Sequence, residues 1–170
     1  MNEKILIVDD EESIRYTYQN FLEEAGYEVS TAEDYKKALW MQKNNKFDLV
    51  YIDIILNGMT GIDLLKHFKR KDSNCQVIII TGVPTVETAA EAIRLGALDY
   101  MVKPLRQDTL LRTSAIALRH KELADSKEMF RKNIEAIFRS VKDGIVSVDK
   151  DMTVLEMNPS ASSLCGVSRD

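Results

Sequence analysis

Cysteine is scarce in this chain. Cys75 and Cys165 are the only two among 170 residues and stand in no metal-ligand spacing. That argues against a disulfide framework and a zinc site, and for a reduced, cytoplasmic setting. Basic residues are not in excess: 23 Lys and Arg against 27 Asp and Glu leave a net charge of −4. A general nucleic-acid binder shows a basic face, so direct nucleic-acid binding by this stretch is not expected. No window approaches the run of about 18 apolar residues that a membrane span needs. Neither an anchor nor a signal peptide is expected within the chain. No repeat or low-complexity tract occurs. The single tryptophan, Trp40, reads as core packing, and His67 and His120 read as surface residues among charges.

Hydrophobic residues make up 45% of the chain and charged ones 29%, so a packed core is expected. Short β-branched runs appear at Ile5–Val8, Glu28–Ala32, Leu49–Ile52, Val77–Ile80 and Tyr100–Val102. Helical spacing fills the gaps: Ile14, Tyr18, Phe21 and Leu22 before Gly26; 34–44; from Gly61; 85–95 before Gly96; and from Asp108. Strands alternating with helices predict a parallel α/β sheet covered on both faces. "ILIV", "LVYI" and "VIII" are the central strands, while the more polar "EVSTA" belongs at an edge.

Ligands of such sheets bind beyond the carboxyl ends of the central strands. Asp9-Asp10, Asp53 and Thr81 close those strands, and Lys103-Pro104 closes the fifth. Gathered carboxylates repel, and burying them is costly. If Asp9, Asp10 and Asp53 converge, a divalent cation and the Lys103 ammonium neutralise them. A hard cation with few protein ligands suits Mg2+ better than Ca2+. Asp53 would then be a nucleophile for a phosphoryl group, giving an acyl phosphate. The cation, Lys103, Thr81 and backbone N–H groups would surround the transferred oxygens. Glu11 and Glu12 read as acids favouring a helix N-terminus.

The motifs "ILIVDDEE", "DLVYIDIILNGMTGIDLL", "VIIITG" and "GALDYMVKPL", in this order, resemble the receiver domain of two-component response regulators over residues 1–120. The resemblance implies a doubly wound, flavodoxin-like sheet of order 2-1-3-4-5. It implies Asp53 as phosphoacceptor, with Thr81 and Lys103 contacting the phosphoryl group. Mg2+ would bind Asp10, Asp53 and the backbone carbonyl of Ile55, with Asp9 in the same pocket. Thr81 and Tyr100 would form the switch, and the bond before Pro104 would be cis. The implied donor is a sensor histidine kinase or a phosphotransfer protein. Asn57 departs from the proline the family often carries. Ile55 and Val83 cannot hydrogen-bond an attacking water, so self-dephosphorylation is expected to be slow. A non-enzymatic reading stands beside this one: a receiver-like docking or dimerisation module that is never phosphorylated. A flavin site is disfavoured by acids in the first loop. A haloacid-dehalogenase-type phosphatase is disfavoured because its nucleophile closes the first strand.

From 108 to 142 the pattern becomes one long charged helix. Ile116, Leu123, Phe130 and Ile137 fall seven apart, with Ile134 and Val141 four after the last two. This predicts a linker that pairs two copies over 116–141 as a coiled coil, weakened where His120 and Lys127 interrupt the stripe. The plainer alternative is a helix packed on its own domain. Residues 143–170 read as a hairpin followed by a helix capped by Asn158 with Pro159 behind it. From 134 onward the chain resembles the opening of a PAS domain, which implies a partial α+β unit and an output domain missing from this chain.

Overall fold

The computed structural model describes residues 3–166. They fall into two compact units, divided between Ala124 and Asp125. In the first, strands β1 (Lys4–Val8), β2 (Glu28–Ala32), β3 (Leu49–Asp53), β4 (Gln76–Thr81) and β5 (Asp99–Val102) alternate with helices. These are α1 (Glu12–Glu24), α2 (Tyr35–Asn44), α3 (Gly61–Lys71), α4 (Val86–Arg94) and α5 (Gln107–Ser140). All pairings in this sheet are parallel, in the order β2-β1-β3-β4-β5.

Alternation along the central strands divides the core in two. Leu6, Val8, Val50, Ile52, Val77 and Ile79 face one way, against Tyr35 and Ala38 of α2, Ile62 and Leu65 of α3, and Ala92 of α4. Ile5, Ile7, Leu49, Tyr51, Ile78 and Ile80 face the other way, against Tyr18 and Leu22 of α1 and Leu110, Ala117 and Leu118 of α5. Burial on both faces explains why these strands are continuously apolar. Each fully buried Leu or Ile contributes about 1.5–3 kcal/mol. The edge strands β2 and β5 are only partly covered.

Local chemistry sets the helix ends. Asp34, Thr60 and Thr85 each accept a hydrogen bond from a first-turn N–H of α2, α3 and α4. Gly26 and Gly96 take φ of +93° and +91° just past α1 and α4. Trp40 corrects the sequence reading: it is 65% exposed, because Tyr35, Ala38 and Gln42 turn the inner face of α2 to the core and Trp40 lies off that face.

The second unit holds the rest of α5, the antiparallel pair β6 (Val146–Val148) and β7 (Val154–Met157), and α6 (Pro159–Cys165). Its organising side chain is Asn158, fully buried. Asn158 Oδ1 accepts from the N–H groups of Ile145 and Ala161, both at 2.9 Å. Its Nδ2 donates to the carbonyls of Asp143 at 2.9 Å and Val141 at 3.3 Å. Among the described residues, no helix is long and apolar enough to cross a membrane.

Candidate functional site

Parallel register brings the carboxyl ends of the central strands level. Val8 pairs with Ile52, Asp53 with Ile80, and Thr81 with Val102. The residue that follows each strand therefore reaches one edge of the sheet. Asp9 is fully buried there, Asp53 is 4% exposed, and Asp10 is exposed. One carboxylate oxygen from each lies within 4.8 Å of the other two.

Lys103 closes the cluster from the next strand but one. Its backbone N–H donates to the carbonyl of Thr81 at 2.8 Å, which aims the side chain back across the sheet edge. Nζ then sits 2.6 Å from Asp53 Oδ2, 2.7 Å from Asp9 Oδ2 and 3.2 Å from Glu11 Oε1. Burial pushes the Asp9 carboxyl above its ordinary range, and the hydrogen bond and charge of Lys103 only partly oppose this. Burial also works against the Lys103 ammonium, but the carboxylates of Asp53 and Asp9 outweigh it and hold its pKa above the usual value.

Backbone groups complete the pocket. Asp53 Oδ1 accepts from Ile55 N–H at 3.2 Å, Asp9 Oδ1 from Glu11 N–H at 3.0 Å, and Thr81 Oγ1 from Val83 N–H at 3.2 Å. Gly61, at the start of α3, packs directly on β3: a Cβ there would fall on the backbone carbonyl of Asp53. The peptide before Pro104 is cis. Tyr100 lies apart from the acids, half-buried, with its hydroxyl 2.8 Å from Thr88 Oγ1 on α4.

The donor set is all hard oxygen, and Asp9 Oδ2 makes no hydrogen bond beyond its ion pair with Lys103. Two oxygens bound cis to one Mg2+ lie about 3 Å apart, and the oxygens of this set lie within 4.8 Å of one another. The residues fit such an ion.

Residues 5–115 match the response regulator receiver domain. The chain belongs to that family. Residues 132–170 match the PAS domain. The chain is similar to the alginate biosynthesis transcriptional regulatory protein AlgB of Pseudomonas syringae, 34% identical over 152 residues, covering 89% of this chain and 33% of the relative. A CheY-like receiver domain protein from Methanospirillum hungatei superposes with TM-score 0.71 at 31% identity, covering 73% of this chain and 99% of that one. NtrX from Brucella abortus in complex with ADP gives TM-score 0.73 at 32% identity, over 89% of this chain and 33% of that one. The chain spans about a third of the length of the AlgB relatives it matches.

Two residues of this receiver pocket escape sequence reasoning. Glu11 is the N-cap of α1 but makes no side-chain cap; its carboxylate turns to Lys103 instead. Arg15, one turn into α1, donates from Nη1 to the backbone carbonyls of Asp9 and Asp10 at 2.7 and 2.9 Å. The one legible signal for Glu11 was its place two residues after Asp9. Arg15 gave none, since backbone carbonyls leave no mark on residue type.

Proposed function

We propose that this chain is a phosphorylation-dependent signalling switch whose acceptor is Asp53. The observation that carries the reading is Lys103 Nζ, held 2.6 Å from Asp53 and 2.7 Å from Asp9 beside the exposed Asp10. An Asp53 carboxylate oxygen attacks the phosphorus of a phosphohistidine on a sensor kinase or phosphotransfer protein. The O–P bond forms as the N–P bond breaks, and the pair of electrons leaves with the imidazole nitrogen. Lys103 and the Thr81 hydroxyl turn to the incoming phosphoryl oxygens. Asp10, Asp53 and the backbone carbonyl of Ile55 would hold Mg2+, with Asp9 acting indirectly. When bound, that ion neutralises charge on the transferring group.

The output follows from the same residues. Thr81 drawn toward the phosphoryl group vacates space, and Tyr100 leaves Thr88 and turns inward. This is a population shift that changes the surface of α4, β5 and α5. The organisation is a receiver over 1–120, a helical linker over 108–142 that overlaps its last helix, and a PAS-like segment over 143–170. The linker pairs two copies and passes the change to a downstream domain. The names of the curated relatives favour transcription control as that output, in the cytoplasm. Ile55 and Val83, both more than half exposed, offer no group to orient water, so the acyl phosphate hydrolyses slowly.

The test is incubation with a small phosphodonor and Mg2+, read by intact mass. Wild type gains one phosphoryl group and Asp53→Ala gains none, while Ile55→Asn sheds the label faster than wild type. No adduct on wild type, or an equal adduct on Asp53→Ala, overturns the reading.

A further inference from the structure

Arg15 poses a problem of charge. It sits beside Asp9, Asp10 and Glu11, yet its guanidinium forms no salt bridge among the described residues. It lies in the opening turn of α1, where a cation opposes the helix dipole. Neither ion pairing nor helix stability accounts for its place. What it does bind is two neutral carbonyl oxygens, those of Asp9 and Asp10, through one nitrogen.

Those two bonds solve a geometric difficulty. Adjacent residues of an extended chain point their side chains to opposite sides. Asp9 still belongs to the sheet, since its N–H donates to the Ala32 carbonyl at 3.1 Å. For Asp10 to join Asp9 at one site, the chain must bend directly after Asp9. The Glu11 N–H bond to Asp9 Oδ1 holds one side of that bend. Arg15 holds the other by gathering both carbonyls to one point. Asp10 needs this help, because no protein hydrogen bond holds its exposed carboxylate among the described residues.

We infer that Arg15 is a positioning residue for the cation site: by fixing the bend after β1 it presents Asp9 and Asp10 together, and so sets the affinity for Mg2+. This rests on reading the acid pocket as a Mg2+ site. Partners that orient metal ligands without touching the metal typically matter 10- to 100-fold in affinity. The sign separates this role from plain electrostatics. Removing a positive charge near a cation site should tighten binding, whereas loosening the bend should weaken it.

The experiment is calorimetric titration of the unphosphorylated full chain with MgCl2, comparing wild type with Arg15→Met, and amide exchange at residues 10–12 as a second readout. The expected result is binding weaker by about tenfold or more, with faster exchange at those amides. Equal or tighter binding by Arg15→Met overturns the inference. Arg15→Lys serves if the first variant does not fold. It keeps the charge, so electrostatics predicts no change and positioning predicts weaker binding; an unchanged affinity overturns the inference there too. A wild type that binds no Mg2+ instead overturns the functional reading itself.

Discussion

Lys103 is the residue on which the pocket turns, since one ammonium faces three carboxylates. Breaking a buried pair by removing one partner costs about 3–5 kcal/mol, because the other charge is left uncompensated. Lys103→Met should therefore destabilise the receiver unit by about 3 kcal/mol at pH 7. The pH dependence follows from the shifts. The folded Lys103 pKa is raised, so its contribution is present below its unfolded value and is lost only as pH rises through the folded one. Burial raises the folded Asp9 pKa above the ordinary carboxylate range, so its ionisation costs stability as pH rises through that range. Protonated Asp9 needs no counter-charge. The deficit of Lys103→Met should thus shrink as the solution is acidified through the Asp9 titration. Urea unfolding at a series of pH values measures it; a deficit that is absent at pH 7, or that grows on acidification, contradicts the account. The placement of Asp9, Asp10, Asp53, Thr81 and Lys103 at one edge of the sheet was legible in the sequence, because the β-branched runs lead into them and parallel strands share one carboxyl edge. Glu11 and Arg15 were not, because their contacts depend on a bend that periodicity does not encode.

At the scale of elements, the runs of apolar residues located every strand of the large sheet to within a residue or two. Continuous apolar runs became central strands and "EVSTA" became an edge. The order of strands was not legible from periodicity, which carries no information on which strand pairs with which; the motifs supplied it through family resemblance. Nor did periodicity reveal that Tyr51, two residues before Asp53, is 2.8 Å from the Ser114 hydroxyl and ties β3 to α5. Asn158 was legible as a helix cap, but its wider role was not. Its amide joins the segment after α5, the start of β6 and the start of α6, using both lone pairs and both N–H groups. Asn158→Ala leaves those backbone groups without their side-chain partner, while Val141 keeps the Ser160 hydroxyl. The expected loss is about 2 kcal/mol within the second unit. Amide exchange at Ile145 and Ala161 should quicken by about thirtyfold, with the β3 and β4 amides unchanged. Unaltered protection at Ile145 and Ala161 would show that Asn158 merely fills space.

For the molecule as a whole, the feature to test for pairing is the apolar stripe on the long helix. Ile116, Leu123, Phe130 and Ile137 are 51%, 61%, 67% and 62% exposed. Single exposed apolar residues are ordinary, but four at heptad spacing along a 34-residue helix form a seam with no occupant within the described chain. A second copy of the same helix offers a matching stripe, which is how a two-stranded coiled coil closes. The surrounding charges do not compete for the seam, since Glu128 pairs with Arg131 and Lys132, and Glu135 with Arg139, along the same helix. His120 and Lys127 fall four residues after Ile116 and Leu123, on the seam's other row, and a pair of lysines facing each other weakens it. Two substitutions therefore have opposite signs. Leu123→Glu places like charges across the seam and should weaken self-association by at least about tenfold, whereas Lys127→Leu removes a repulsion and should strengthen it. Sedimentation equilibrium over a range of protein concentrations reads both, with circular dichroism to check that the receiver remains folded. If wild type and both variants sediment as the same monomer, the stripe does not pair two copies, and the proposed relay must run within a single chain.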